Sequence, residues 1–529
     1  MLIRLAIPRA LRPSRWALGF LVGIAGSLPA GATPLEFLSV GDPLESELRV
    51  LDVLGSGAGA ARRLPHLGIR PLQIREILDA GAEPANDLAP PARISWARLD
   101  RWLARDRDLP ADSGRAVGTS PRILQRVFDE DQRFELSLGL EGRGEVTKND
   151  SRFVSGSGLH GRVAFQSGAW LAYAHLLAGQ IEGARSFADP IVAGEDLIVF
   201  SEESYVGYTG PGARLAFQFG RSRWHWGPGD EASLILSKTS EPLTGLALRA
   251  RIEPMRLDVV ALSATLDASA GEQLAAHRFE WQALDGLRIG ISEAARYRSS
   301  SWQPAYLVGV LPYVIVQRLL TQDEPDSVGA LRNNVLFGFD VAWRLAPGNR
   351  LYGEAALDDL HSRTNDNPHK YAYQLGWEGA GGWAGTRLTW GAEYTRLTRF
   401  VYTSFFGRDF ESHDRPLGFP TGPDSRRVRA HGAWDLSAEW QIAAAAARTD
   451  RGENALDEPF LPGSPAVRTH EFEGVVEETR ELEVGVRYWP MSGVDLALSG
   501  GYRWIDDAGH VPGARSRGAT GALSVRLVR

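Results

Sequence analysis

Residues Leu482 to Trp504 read LEVGVRYWPMSGVDLALSGGYRW. Leu482, Val484, Val486 and Tyr488 alternate with Glu483, Gly485 and Arg487 before the turn. After it, Val494, Leu496, Leu498, Tyr502 and Trp504 alternate with Asp495, Ala497, Ser499 and Arg503. A period of two puts successive side chains on opposite faces, so this is a β-hairpin with one apolar and one charged face. The same pattern flanks Ala346-Pro347-Gly348-Asn349, with Val335 to Leu345 leading in and Leu351 to Leu357 leading out. It flanks Gly379 to Gly382 too, between Tyr371, Tyr373, Leu375 and Trp377 on one side and Leu388, Trp390, Ala392 and Tyr394 on the other.

From about residue 131 onward the chain repeats strands of about ten residues, joined alternately by tight turns and long polar loops, with aromatics near strand ends. These are the requirements of a transmembrane β-barrel. Hydrocarbon leaves no partner for a free sheet edge, so the sheet has to close. The count predicts an all-β fold, a closed antiparallel barrel of about 18 strands. A soluble propeller or stacked sandwich is the competing architecture, and the unequal loop lengths argue against it. Tyr306 to Val316 is too continuously apolar for a clean strand.

Residues 1–32 read as a signal peptide: Arg4, Arg9, Arg12 and Arg15 precede an apolar run from Trp16 to Ile24, and Ala30-Gly31-Ala32 offers a cleavage site. Residues 33–130 form a periplasmic helical segment, and 131–529 the barrel. Asp42 caps a first helix, Pro43 opens it, Glu45 completes a capping box and Gly55 stops it, with Leu44, Leu48 and Leu51 on one face. Further helices are expected within 70–81 and 95–105, and a fourth from Ser120-Pro121.

The formal charge is −7 without a basic cluster, so no nucleic acid is expected as a partner. The absence of Cys removes disulfides, thiol nucleophiles and Cys-ligated metals. No metal site and no cofactor is expected: the dinucleotide-like GSGLHG at Gly156 to Gly161 leads into an alternating strand rather than a helix. Asp358 and Asp359 are strand neighbours that point apart, while Glu354 and Asp358 share a polar lumen wall. No catalytic residues are assigned.

Two loops remain as candidate ligand-binding sites. Arg223 to Ser237, RWHWGPGDEASLILS, is read as two Trp rings on one side of a strand end, followed by a type II turn with Pro228 first and Gly229 second at positive φ. Trp224 and Trp226 would stack on a sugar ring, with Arg223, Asp230 and Glu231 bonding its hydroxyls. A membrane belt or packing role for the rings is the plainer reading. The second loop, between Arg399 and Arg427, interleaves Tyr402, Phe405, Phe406 and Phe410 with Arg408, Asp409, Glu411 and His413. Aromatics with mixed charges and no nucleophile suit binding an extended polar polymer.

These residues resemble the Wzi-type capsule assembly family, outer-membrane β-barrel lectins. Gly220 to Ser237, GRSRWHWGPGDEASLILS, is similar to a family signature R-W-W-G-P-G followed by S-L-I-L-S. Support comes from GDPLESELRVLDVLG (41–55), LYGEAALDDL (351–360), YAYQLGW (371–377) and RPLGFPTGPDS (415–425). His225 stands where the family form has Trp, and KTSEP at 238–242 replaces a more Asn-rich continuation. The resemblance implies an outer-membrane protein with no enzymatic activity that binds capsular or other surface polysaccharide and assists capsule assembly. Its further expected partners are outer-membrane lipid and other envelope polysaccharide-export proteins. The alternative is an outer-membrane channel for small polar solutes, lined by Arg249, Arg251, Glu354, Arg387, Glu393, Glu483, Arg487 and Asp495. A glycan hydrolase would require two carboxylates facing one cavity.

Overall fold

The computed structural model describes residues 35–55, 64–80, 90–107, 124–129, 132–147, 150–153, 157–180, 198–307, 311–321, 333–359, 368–383, 385–405, 407–461, 463–491 and 494–528. The expected signal peptide lies outside them. Among the described residues, eighteen antiparallel strands form a closed barrel, as the alternation predicted. Closure pairs the last strand, Arg515–Val528, with the first, Gln132–Thr147, from Val528↔Gly139 to Thr520↔Thr147. No described helix is long and apolar enough to cross a membrane.

The two faces divide as the sequence required. Leu482, Val484 and Val486 are 47%, 50% and 39% exposed, on the outer wall. Trp281, Trp343, Trp383 and Trp440 are also exposed, each within a few residues of a short turn, and form an aromatic girdle at that end. Short turns mark the periplasmic end of such barrels and long loops the cell exterior.

Helices α1 (Pro43–Leu54), α2 (Ile74–Ala80) and α3 (Pro90–Arg107) pack at the short-turn end. The Asp42 carboxylate accepts from Leu44 N at 2.9 Å, Glu45 accepts from Gly41 N, and Gly55 ends α1 at φ 72°. Leu44, Leu48 and Leu51 join Leu99 of α3 in a small core. The other face of α1 is charged and also buried, because the wall it meets is the polar inner face of the sheet. Asp52 accepts from Arg288 at 2.8 Å and Arg350 at 2.9 Å, and Glu47 accepts from Arg98 at 2.5 Å and Arg387 at 2.6 Å. Removing one partner of such a buried pair typically costs about 3–5 kcal/mol.

One expectation changes. In place of a fourth helix, Leu124–Asp129 is a strand that pairs with Gln132 to Leu136. The apolar run from Tyr306 to Val316 is not a strand where it is described: Tyr306 and Leu307 end α4 (Pro304–Leu307), and Tyr313 to Val316 begin α5 (Tyr313–Thr321).

Candidate functional site

Among the described residues, three insertions occupy the lumen: the helical segment from the periplasmic end, and the loops 223–242 and 398–424 from the opposite end. The first of these loops does not stay at the rim. His225–Trp226 pairs antiparallel with Ile69–Arg70, and Trp226 N donates to Leu236 O at 2.8 Å. Trp224 and Trp226 meet edge to face at 6.3 Å, and they are 3% and 0% exposed. Arg249 lies over the Trp224 ring at 5.4 Å. The rings hold the loop in place from within and present no surface here. His225 is buried as well and accepts from Lys238 N at 3.1 Å; burial, then Arg70 and Lys238, hold its imidazole neutral.

The Gly-Pro-Gly corner differs from the type II turn expected. The positive φ is at Gly227 (128°), not Gly229. Gly229 is required for space, since a Cβ there would stand 2.1 Å from Ala232 O. Gly68 O accepts from Gly227 N at 3.0 Å, Arg49 donates to Pro228 O at 2.9 Å and Arg70 to Gly229 O at 3.1 Å. Glu354 accepts from Ser233 Oγ and from Leu234 N at 2.8 and 2.9 Å. Leu234, Ile235 and Leu236 are then fully buried.

The two aromatic loops, separate in sequence, interlock. Ser237 N donates to Leu417 O at 2.8 Å, and Tyr402 Oη donates to Leu234 O at 2.7 Å and accepts from Phe419 N at 3.2 Å. Tyr402 is fully buried and Arg408 nearly so, whereas Phe405 is half-buried; Phe406 lies outside the described residues. Arg223 is committed to the carbonyl of Lys238 at 3.2 Å and to Glu202 at 3.4 Å. Of the residues predicted from sequence, Asp230 keeps the most useful combination of charge and access.

Asp230 and its neighbour Glu231 leave the corner and face the inner wall of Ser425–Asp435. Asp230 lies 3.6 Å from Arg429, 4.0 Å from His431 and 3.8 Å from Arg49. Burial pushes its pKa up, but Arg49, Lys238, His431 and Arg429 outweigh this and hold it well below the usual carboxylate range. Glu231 accepts a two-pronged contact from Arg427 at 2.7 and 2.9 Å. Arg427 also reaches Glu481 at 3.3 Å, and Arg503 bonds Glu481 at 2.9 Å. Asp230 and Glu231 remain 29% and 24% exposed and Arg503 54% exposed, so this network is wetted.

The wall beyond it is lined with small residues. Ala443, Ala445 and Ala447, Gly485, Ser499 and Gly501 share the inward register with Glu483, and none is fully buried. The partial exposure of these inward side chains leaves a solvent-accessible crevice between the inserted corner and the strands from Ser425–Asp435 to Val494–Asp506, with paired charges on one side and small residues on the other. At the periplasmic end α3 lies beside it, Arg98 donating to Ala438 O at 3.0 Å and covering the Trp489 ring at 4.2 Å. At the outer end, loops 398–424 and 452–476 are stitched together by Arg399 N to Thr469 O at 2.9 Å and by Phe400 against Phe460. Among the described residues no group of three or more His, Asp or Glu is placed to hold a metal ion.

Arg427, Arg429 and His431 were not predicted as site residues. Their signal was present in SRRVRAHGAWD (425–435), where period two puts all three on one face. The presumed pore-lining residues Arg251, Arg387, Glu354 and Glu393 do face inward. They are bound to the inserted segments: Arg251 to Glu76 at 2.9 Å, Arg387 to Glu47, Glu354 to Ser233, and Glu393 to Asp230 N at 3.4 Å.

A family model for the capsule assembly protein Wzi matches residues 120–516. The fold is similar to that of Wzi of Escherichia coli, an outer membrane protein involved in group 1 capsule assembly and reported as a carbohydrate-binding β-barrel. The TM-score is 0.61 at 16% identity, over 94% of this chain and 99% of that one. OprD of Pseudomonas aeruginosa gives a TM-score of 0.41 at 12% identity, over 75% of this chain and 95% of that one. OccAB1 of Acinetobacter baumannii gives 0.43 at 11%, over 75% and 96%. No curated protein matches the sequence.

Proposed function

Because the chain belongs to the Wzi family of capsule assembly proteins and is an outer-membrane β-barrel, we propose that it binds surface polysaccharide and assists capsule assembly without catalysing a reaction. The observation that carries this reading is the crevice of Asp230, Glu231, Arg427, Arg429 and His431 facing a wall of Ala, Gly and Ser. Hydroxyls and uronate groups of a polymer exchange readily with wetted ion pairs. The small residues leave width for a sugar chain. Trp224, Trp226 and Tyr402 support the site by holding the corner; Phe405, and the exposed hairpin residues Asp414 and Arg415 at the outer end, offer first contacts.

The test is binding of capsular polysaccharide from the host to the purified protein in detergent. Arg427→Gln or Asp230→Asn is expected to lower affinity about tenfold or more, the value of one charge-assisted hydrogen bond, with the barrel intact by circular dichroism. Unchanged affinity in both variants would remove the crevice from the reading. Loss confined to Phe405→Ala would place binding at the outer loops.

A further inference from the structure

Helices α4 and α5 lie on the outside of the barrel. His277 and Glu293 share the outward face with Phe279, Trp281 and Ile291, since their neighbours Arg278, Glu280 and Ser292 bond one another or Asp340 inside. On that outward face the upper halves of strands Leu257–Asp267, Glu272–Leu284 and Leu287–Arg298 depart from the rule seen elsewhere. In place of bulky apolar residues they carry Ala261, Ser263, Thr265, Gln273, Ala275, His277, Glu293 and Ala295.

Residues 299–307 and 311–321 cover this patch. Trp302 Nε1 donates to Thr265 Oγ1 at 3.2 Å and its ring meets outward Phe219 edge-on at 6.2 Å. Tyr306 stacks on Tyr297 at 4.7 Å, and Tyr313 packs on the His277 ring at 4.3 Å. His277 Nε2 lies 3.1 Å from Glu293, which also accepts from the Tyr313 N at the start of α5 at 2.9 Å. A buried imidazole–carboxyl contact thus sits on the lipid side of the wall, with α5 as its lid. Tyr306 of α4 and Tyr313 and Val316 on the inner face of α5 are fully buried.

The opposite face of the lid is apolar and bare: Leu311, Val314, Ile315 and Leu319 are 46%, 52%, 47% and 54% exposed. This face continues the lipid-contacting band. Glu293 pairs in register with Phe337, 38% exposed, and Ile291 with Phe339, 43% exposed, both on the bare outer wall. Apolar side chains left bare at this level gain by leaving water for acyl chains.

We propose that α5 seats in the outer leaflet, with Leu311, Val314, Ile315 and Leu319 among acyl chains, and seals the His277–Glu293 pair from the lipid. This does not depend on what the lumen binds.

The chain contains no Cys, so a single nitroxide label can be placed at Val314→Cys or Leu319→Cys in the full chain reconstituted in phospholipid bilayers. Phe337→Cys serves as the lipid reference and Val511→Cys, in an outer loop, as the aqueous one. Collision with oxygen is expected to exceed collision with a water-soluble nickel complex at 314 and 319 by the ratio found at 337, several-fold above that at 511. A ratio like that at 511 at both positions would overturn the proposal and leave the face in water. Low access to both probes, with dipolar broadening between labels on neighbouring copies, would overturn it in favour of a second copy as the occupant.

Discussion

Glu47 shows how single residues hold the insert in the barrel. Burial raises its pKa, but Arg387 and Arg98 outweigh burial and hold it at about 2 against an ordinary 4.5. Asp52 is likewise held at about 2 against 3.8, where Arg288 and Arg350 overcome burial. Both folded values lie below the unfolded ones, so the unfolded state takes up more protons as the solution is acidified. Their stabilisation is complete above about pH 4.5 and is lost as the pH falls towards 2. Amide hydrogen exchange corrected for intrinsic rates should show protection of residues 43–54 falling through that window while the strands stay protected. Protection of α1 that does not change with pH would mean these ion pairs do not secure it. The apolar stripe Leu44, Leu48 and Leu51 was plain in the sequence. The buried role of the charged stripe was not, because Glu47 and Asp52 find Arg387 and Arg350 hundreds of residues away.

At the level of elements, the loop 223–242 depends on backbone shape as much as on its rings. Gly227 has φ 128°, and a Cβ there would stand 2.9 Å from Glu354 Oε2 and Ser233 Oγ. Gly227→Ala should cost about 1–3 kcal/mol of strain and loosen the corner that presents Asp230 and Glu231. The measurable outcome is a lower thermal midpoint together with weaker polysaccharide binding; a variant as stable and as strongly binding as the parent would show that the corner is not held by its backbone. The importance of Gly-Pro-Gly was legible as a firm turn. Its position was not, because a strand-end turn and a loop folded into the lumen have the same local sequence. The strand Ser425–Asp435 is the converse case: Arg427, Arg429 and His431 lie on one face by simple alternation, yet only the approach of Asp230 and Glu231 gives that face its chemistry.

For the whole molecule, the inserts favour the proposed binding role over a channel. Arg251, Arg387, Glu354 and Glu393 are bonded to inserted segments, α3 covers the periplasmic end beside Trp489, and the outer loops are tied to each other. In a planar bilayer the protein is therefore expected to give no stepwise conductance; steady open-channel currents would restore the solute-channel reading for the crevice along strands 425–506. By itself the sequence determined the barrel, its near-exact strand number, the two faces of its wall and the capped first helix. Each of these follows from periods of two or 3.6 and from residues a few positions apart, where local geometry fixes which side chains share a surface. Only the tertiary structure decided that Trp224 and Trp226 turn inward, that two distant loops interlock, and that α4 and α5 fold back onto the outer wall. Those outcomes depend on which polar surface lies across a closed lumen or beneath a folded-back loop, and no local pattern encodes a partner brought near by closure of the sheet.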